Sequence, residues 1–315
     1  MMSEAAASTH KSDIVGRTIE FEGRRLYAEV SGSGQPVVFE AGAGEWSAHW
    51  SLVTAALGDR FRCIAYDRAG LGRSEPVSGI RSAAVLADEQ LRVLDALGVD
   101  EPAIVVAHSF GASIARLVAD RAPERVAGIV FVDGWHEKFG EWERDNPAPR
   151  SSIPMRFLEV LDRAGALRMV NRLLIRVSPP KSPWPLPSET WASMLVISNS
   201  VKFHRATEAE ASAYDEGDRD VAAVTRLDVP LVSLIASEML SPEQVPAGYP
   251  VEQHNAAWQA ASARLSELSS SSVVKHVSDT DHMIQLSRPQ VVVDAVLEVE
   301  GMIRAGAGSS PEPIG

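Results

Sequence analysis

The hydrophobic residues of the chain follow two alternating patterns from about residue 14 onward. Short runs are apolar at almost every position, and each is followed by a longer segment whose apolar residues recur every three or four positions. The first pattern is typical of a strand buried on both faces, and the second of an amphipathic helix. Their alternation predicts an α/β fold, with a mostly parallel sheet covered by helices on both faces. The buried strands are predicted in QPVVFEAGAG, RFRCIAYD, PAIVVAH, VAGIVFVDG, VPLVSLIAS and SVVKHVS.

The beginning of the chain shows a different strand pattern. The runs RTIEFEG and RRLYAEVSG are separated by Glu22-Gly23, which is a turn signal. These two runs are predicted to pair as an antiparallel hairpin. Together with the buried strands, the hairpin gives a predicted sheet of eight strands.

The alternation stops between residues 135 and 226. This segment contains NPAPR, the proline-rich SPPKSPWPLPSE and a helix-like stretch, PMRFLEVLDRAGALRMVNRLL. We interpret residues 135–226 as a helical cap inserted into an α/β core of residues 14–134 and 227–304. Residues 1–13 form a polar leader, and residues 305–315 form a tail rich in Gly, Ser and Pro; both are predicted to be flexible.

The composition narrows the classes of function. The formal net charge is −12 and Lys and Arg do not cluster, so a nucleic-acid partner is not expected. There is no apolar run of membrane-spanning length and no apolar secretory signal, which predicts a cytoplasmic protein without a membrane span. The single cysteine, Cys63, lies in an apolar run and is expected to be a buried thiol. Neither a His-Glu-x-x-His motif nor paired cysteines occur, so no cofactor or metal is expected.

A candidate nucleophile lies in VVAHSFGAS, where a buried strand meets a helix. Ser109 stands at the junction, within Ala107-His108-Ser109-Phe110-Gly111. A serine on such a strained turn needs small neighbours, which Ala107 and Gly111 are; an N-cap serine on an ordinary turn is the other interpretation. The segment resembles the nucleophile elbow of the α/β-hydrolase fold family, with Ala107 in place of the usual first glycine. The resemblance implies that Ser109 is a catalytic nucleophile.

The same resemblance implies roles for residues elsewhere in the chain. In FEAGAGEW, the amide of Ala43 is expected to form an oxyanion hole together with the amide of Phe110. The loop YDRAGLGRSEP matches a loop of the family in which Asp67 and Arg68 are structural. His282, in SDTDHMIQLSRP, follows the last predicted strand, where the family has its general base.

The acid that would orient His282 is left open between two carboxylates. Asp133 ends the strand GIVFVDG, whereas Glu238 follows the next strand, in the loop that usually carries the family's Asp. We prefer Asp133 because it stands directly at a strand end and has the shorter, stiffer side chain. His108, beside the serine, is interpreted as a structural residue or part of the pocket wall.

The predicted triad and oxyanion hole are typical of acyl transfer. A serine at the elbow excludes the epoxide-hydrolase and haloalkane-dehalogenase branches of the family, which need an Asp there. The cap is rich in aromatic and Met side chains, so the expected substrate is a small-molecule ester or thioester of a bulky hydrophobic acyl group, cleaved through an acyl-enzyme. These cap residues are Trp135, Trp142, Trp184, Trp191, Met155, Phe157 and Met169.

Three alternatives remain open at this point. A similar architecture occurs in thioesterases that release polyketide chains, in which case the substrate would be bound to a carrier protein. A hydrolase-like receptor or binding protein would hold a hydrophobic ligand in the same pocket. A lyase, such as a hydroxynitrile lyase, would use the same triad without hydrolysis. The triad alone does not distinguish between these functions.

Overall fold

The structure is a computed structural model and describes residues 14–147, 155–177 and 181–307. Its strands are β1 Val15–Phe21, β2 Arg24–Ser31, β3 Gln35–Glu40, β4 Phe61–Asp67, β5 Ala103–His108, β6 Val126–Val132, β7 Leu231–Ala236 and β8 Ser272–Val277. These eight strands form one sheet in the order β1-β2-β4-β3-β5-β6-β7-β8.

The pairing of the strands confirms the predicted hairpin and the mostly parallel sheet. Strand β1 is antiparallel to β2, and β2 is antiparallel to β4. All other neighbouring strands run parallel. The hairpin turns at Glu22 and Gly23, whose φ angles of 47° and 73° lie in the left-handed region that favours glycine.

Twelve α-helices lie in the described residues. They are α1 Ser51–Leu57, α2 Ala83–Ala96, α3 Gly111–Arg121, α4 Glu137–Asp145, α5 Met155–Arg163, α6 Ala166–Val177, α7 Ser188–Ser198, α8 Val201–Ala211, α9 Tyr214–Ala222, α10 Val251–Ala263, α11 Ile284–Ser287 and α12 Pro289–Ala307. Helices α4 to α9 come between β6 and β7 in the chain, inside the segment that the sequence analysis assigned to a cap.

Helices cover both faces of the sheet, as the uniformly apolar strands predict. Side chains of α2 and α3, such as Leu86 and Val118, form one buried cluster with Val105 of β5. The next residue of the same strand, Val106, points to the other face and packs in a second cluster with α1 and α12. Burial of each such side chain stabilises the fold by about 1.5–3 kcal/mol, so both faces of the central strands contribute.

Two boundaries predicted from the sequence are wrong. The single helix expected over PMRFLEVLDRAGALRMVNRLL is two helices, α5 and α6, because Gly165 adopts a left-handed φ of 74° that ends the first of them. Residues 305–307, expected to belong to the flexible tail, are helical, since α12 continues to Ala307. The predicted flexible leader 1–13 and the remainder of the tail, 308–315, lie outside the described residues.

The carboxyl ends of the parallel strands meet at one edge of the sheet, and all the predicted site residues follow these ends. Ser109 comes directly after β5 and Asp133 directly after β6. Glu238 follows β7, His282 follows β8, and Ala43 lies in the loop after β3. This edge is where open α/β sheets bind their ligands.

Candidate active site

Ser109 occupies a strained turn between β5 and α3. Its φ of 50° is left-handed, a conformation that is uncommon for a residue with a side chain. Two hydrogen bonds hold the turn against β6: the Ser109 amide donates to the carbonyl of Val132 at 3.2 Å, and the Trp135 amide donates to the carbonyl of Ser109 at 2.9 Å. A strained residue held by its surroundings is a feature of functional sites.

Gly111 is the small residue that the tight turn requires. A Cβ atom at this position would lie 2.6 Å from the backbone oxygen of Glu40, at the end of β3. No ordinary side-chain carbon approaches a carbonyl oxygen so closely, so a larger residue would push the start of α3 away from the sheet. The glycine therefore allows Ser109 to sit close to the loop that follows β3.

The structure brings Asp133 and His282 together. The Oδ2 atom of Asp133 lies 2.6 Å from Nδ1 of His282. The other carboxylate oxygen, Oδ1, accepts a hydrogen bond from the amide of Ala236 at 2.9 Å. Asp133 is completely buried and has a left-handed φ of 45°. Its carboxylate is thus fixed in position and aimed at one nitrogen of the imidazole.

Glu238, the alternative acid, is placed differently. Its backbone amide donates to the carbonyl of Thr280 at 3.2 Å. The residue lines a separate cavity together with Trp184 and Asp281. The hydrogen bond to Nδ1 of His282 is therefore made by Asp133 and not by Glu238.

His108 joins two segments of the site, which agrees with the structural role expected from the sequence. It is completely buried; its Nδ1 lies 3.0 Å from Oε2 of Glu45, and its Nε2 lies 2.9 Å from the backbone oxygen of His282. A carboxylate and a carbonyl only accept hydrogen bonds, so both ring nitrogens donate and His108 is an imidazolium. Burial alone lowers the pKa of His108, but the charge and hydrogen bond of Glu45 outweigh it and raise the pKa.

Glu45 connects three parts of the site, and the sequence analysis did not identify it. Besides His108, its Oε2 accepts a hydrogen bond from the amide of Gly42 at 3.1 Å and another from the side chain of Gln285 at 3.5 Å. Burial alone raises the pKa of Glu45, but His108 outweighs it and lowers the pKa to about 2. Glu45 is therefore ionised at neutral pH and ties the loop after β3 to the elbow and to the segment of His282.

Replacing Glu45 with glutamine is expected to make the stability of the fold less sensitive to acid. The pKa of Glu45 falls from 4.5 to about 2 on folding, so ionised Glu45 stabilises the fold above pH 4.5, and this contribution is lost as the pH falls through about 2. The shift corresponds to about 3 kcal/mol. Denaturant unfolding at several pH values across this window should show a steeper loss in the wild type than in Glu45→Gln.

The exposed Glu208 provides the matched control for this measurement. Glu208→Gln removes a carboxylate of the same kind from the surface of α8, and its free energy of unfolding should follow the wild-type pH dependence. Parallel pH curves for the wild type and Glu45→Gln would show that Glu45 does not stabilise the fold through its charge.

Ala43 and Phe110 carry the two amides that the sequence analysis assigned to an oxyanion hole. Phe110 lies directly after Ser109, at the N-terminal end of α3, and Ala43 lies in the loop after β3. Neither amide donates a hydrogen bond to another group of residues 14–147, 155–177 and 181–307. Unpaired amides at a helix N-terminus and in an adjacent loop are suited to binding a developing negative charge.

A group of large rings, here called the aromatic wall, borders the site. The ring of Trp258 lies 5.0 Å from that of His282, and the ring of Tyr214 lies 4.9 Å from that of Phe110. The remaining members join these two through ring contacts of 4.9 to 5.9 Å. The wall consists of Trp135, Phe139, Trp142, Tyr214 and Trp258.

Only part of the predicted apolar lining belongs to the aromatic wall. Trp135 and Trp142 are members, whereas Trp184 and Trp191 pack against each other in a separate cluster, with ring centres 5.8 Å apart. The side chains of Phe157 and Met169 are 54% and 67% exposed, and Met155 is half-buried. The amphipathic pattern of α5 and α6 predicted an apolar face on each helix, but it did not predict which part of the protein that face packs against.

Other expectations concern metals, membranes and the cysteine. Within the described ranges, no three His, Cys, Asp or Glu side chains are grouped so that they could hold a metal ion. No helix of the same ranges is long and apolar enough to cross a membrane. Cys63 is buried in β4, and burial raises the pKa of its thiol to about 12, which makes it unreactive.

Comparison with known sequences identifies relatives of part of the chain. The family described as "alpha/beta hydrolase fold" matches residues 35–171. A candidate carbamate hydrolase, RutD, of Azorhizobium caulinodans is 42% identical over 110 residues, which are 35% of this chain and 41% of that protein. A 2-hydroxymuconate semialdehyde hydrolase of Pseudomonas sp. is 38% identical over 123 residues, 38% of this chain and 43% of the relative. The chain thus spans about two fifths of the length of these relatives.

Solved structures match almost the whole chain at low sequence identity. The epoxide hydrolase CorEH superposes with a TM-score of 0.63 at 21% identity, over 92% of this chain and 100% of that one. An esterase from Thermogutta terrifontis superposes with a TM-score of 0.60 at 18% identity, over 92% and 99% of the two chains. Est816, described as an N-acyl homoserine lactone degrading enzyme, gives a TM-score of 0.60 at 21% identity, over 90% and 99%. At these identities the similarity establishes a common fold.

Proposed function

We propose that this chain, which has the α/β-hydrolase fold, is a serine hydrolase cleaving an ester or thioester of a bulky hydrophobic acyl group. One observation carries the proposal: the hydrogen-bonded pair of Asp133 and His282 lies at the same sheet edge as the strained Ser109, and His108, the residue before Ser109, hydrogen-bonds to the backbone of His282. A nucleophile, a base and an oriented acid at one sheet edge are the parts that acyl transfer needs.

The first half of the proposed reaction forms an acyl-enzyme. The Oγ atom of Ser109 attacks the carbonyl carbon of the substrate while its proton passes to Nε2 of His282. Asp133 accepts the hydrogen bond from Nδ1, so Nε2 is the nitrogen without a proton, and the carboxylate stabilises the imidazolium that forms. The carbonyl oxygen takes up the electron pair as an oxyanion, which receives hydrogen bonds from the amides of Ala43 and Phe110.

The second half releases the acid and restores the enzyme. The tetrahedral intermediate collapses, the bond to the leaving alcohol or thiol breaks, and His282 gives its proton to the leaving group. A water molecule then attacks the acyl group on Ser109 and transfers a proton to His282. When this second intermediate collapses, the acid leaves and the proton returns to Oγ of Ser109.

The preference for a bulky hydrophobic acyl group rests on the aromatic wall and on a cavity behind it. The cavity has a volume of about 470 Å³ and is lined by Trp135 and Tyr214, whose rings lie 5.1 Å apart. Tyr214 also contacts Phe110, so an acyl chain bound at the proposed oxyanion hole would meet these rings first. Polar residues, among them Arg144 and Asp218, also line the cavity, which suits an acyl chain that carries a polar group.

The substrate class is tested with a panel of oxyesters and thioesters of increasing acyl length. Each additional methylene that the aromatic rings bury is worth about 0.8 kcal/mol, so kcat/KM should rise by up to about fourfold per methylene until the pocket is filled. The thioester arm should include N-acetylcysteamine thioesters, which resemble the end of a carrier-bound substrate.

The panel also separates the proposed function from its alternatives. Turnover that falls with acyl length would contradict the hydrophobic acyl site. Tight binding of the longer substrates without turnover would support a binding protein, and cleavage without uptake of water into the product would support a lyase.

A further inference from the structure

A buried polar network centred on Arg68 binds the loop that carries Ala43. Arg68, which follows β4, is 1% exposed, and each N–H group of its guanidinium donates a hydrogen bond. It donates to Glu40 at 2.7 Å and to the carbonyls of Ala41 and Gly42 at 2.6 Å each. It also donates to both carboxylate oxygens of Glu210, at 2.8 and 3.0 Å. A structural role for Arg68 was expected from the sequence, but its partners were not.

Glu210 brings the cap into this network. It lies in α8, is completely buried, and is 142 residues from Arg68 in the chain. Its Oε2 atom also accepts a hydrogen bond from the amide of Gly44 at 3.0 Å. One carboxylate of the cap therefore holds both the guanidinium under the loop and the backbone of the loop itself.

These contacts leave one amide of the loop available. The amide of Gly42 is bonded to Glu45 and the amide of Gly44 to Glu210, whereas the intervening amide of Ala43 has no acceptor in the described part of the chain. In a trans peptide the carbonyl and the next amide point in opposite directions. Arg68 and the amide of Glu45 both donate to the carbonyl of Gly42, at 2.6 and 3.1 Å, and together they set the direction of the Ala43 amide.

The cap helix rests on the same loop. Gly44 has a left-handed φ of 71°, and a Cβ atom there would lie 2.9 Å from Oγ1 of Thr207 and 3.5 Å from the ring of Phe203, both in α8. A side chain at position 44 would thus meet side chains of α8, so the loop and the helix pack directly against each other here.

We infer that Glu210 is a positioning residue of the oxyanion hole: by binding Arg68 and the Gly44 amide, it orients the Ala43 amide when α8 is docked. The catalytic meaning of this inference rests on the proposed function. Docking of the cap then completes the site, so the cap acts on the chemistry as well as on the choice of substrate. A substrate that keeps the cap docked would also order the Ala43 amide, which donates a hydrogen bond to the oxyanion formed from the substrate's carbonyl group.

Replacing Glu210 with glutamine would weaken these contacts with little change in the shape of the side chain. The side-chain nitrogen of glutamine cannot accept a hydrogen bond. A nitrogen in the place of Oε1 leaves the Nε–H group of Arg68 without this acceptor, and a nitrogen in the place of Oε2 leaves both the Gly44 amide and an Nη2–H group of Arg68 without theirs. Glu40 would be the remaining buried counterion of Arg68. Burial raises the pKa of Glu40 to about 7, against the opposing effect of Arg68, so Glu40 is a weaker partner at neutral pH.

The test compares Glu210→Gln with Glu208→Gln, the same change two residues earlier on the exposed side of α8. Amide hydrogen exchange of residues 41–46 should be faster in Glu210→Gln and unchanged in Glu208→Gln. The kcat of Glu210→Gln should fall by about 10- to 100-fold while KM stays within about threefold. The Ki of a trifluoromethyl ketone, which forms an oxyanion on Ser109, should rise by the same factor as kcat/KM falls.

Wild-type exchange rates in Glu210→Gln would overturn the inference, and so would faster exchange with wild-type kcat. If the glutamine variant does not fold, Glu210→Asp tests the same contacts, because aspartate keeps the charge but its shorter side chain moves the carboxylate away from the loop. Amide exchange of residues 41–46 in Glu210→Asp should be faster than in the wild type and slower than expected for glutamine. Wild-type exchange rates in Glu210→Asp would overturn the inference. If the wild type cleaves no ester or thioester, the proposed function fails, while the exchange rates still decide whether Glu210 orders the loop.

Discussion

Alanine in place of Ser109 is expected to abolish both turnover and covalent labelling by a fluorophosphonate. The hydroxyl is the atom that would attack the carbonyl, and nothing else at the tip of the elbow could replace it. Loss of the nucleophile of such a triad lowers kcat by about 10⁵-fold or more. Labelling is followed by mass spectrometry of the intact protein and of the peptide that contains residue 109, in parallel with ester hydrolysis.

Ser113 provides the matched control for this substitution. It lies one turn further along α3, is 1% exposed, and its hydroxyl has no hydrogen-bond partner in the described residues. Ser113→Ala should retain labelling and turnover close to wild type. If Ser109→Ala is labelled as fast as the wild type, Ser109 is not the nucleophile and the proposed mechanism is wrong.

Asparagine in place of Asp133 is expected to lower kcat by about 10⁴-fold with little loss of folding. The Oδ1 atom of the asparagine can still accept the hydrogen bond of the Ala236 amide, so the strand ends remain joined. Its side-chain NH₂ would face Nδ1 of His282 as a donor. The imidazole would then carry its proton on Nε2 and could not accept the proton of Ser109.

Glu238→Gln is the control for the choice of acid, since Glu238 was the second candidate. Because its side chain lines a separate cavity, kcat should stay within about twofold of wild type. A large loss in Glu238→Gln together with near-normal turnover in Asp133→Asn would move the acid to Glu238. Thermal unfolding of both variants separates a loss of activity from a loss of structure.

Much of the fold and the elbow could be predicted from the sequence, because their signals are local. The apolar runs marked the strands, and small residues on both sides of Ser109 marked the turn. The wrong boundaries arose where local signals compete: Gly165 ended a helix inside an unbroken amphipathic pattern, and α12 continued into a glycine-containing tail. Such competition is decided by packing, which the sequence pattern does not contain.

Local sequence signals could not predict the triad acid or the residues that order the loop carrying Ala43. Asp133 and Glu238 both follow neighbouring strands, and only the hydrogen bond to Nδ1 of His282 separates them. Glu45 lies 63 residues from His108, and Glu210 lies 166 residues from Gly44. No spacing rule relates residues so far apart, and a buried glutamate looks the same in the sequence as a solvated one.

The sequence by itself determined the alternation of strands and helices, the class of the sheet and the serine at its edge, because each depends on the order of polar and apolar residues over a few positions. The tertiary structure alone decided which carboxylate meets His282, why His108 is charged, and how α8 reaches the loop of Ala43. These depend on distances between side chains from separate elements, and in a buried site a displacement of about 1 Å is enough to make or break a hydrogen bond.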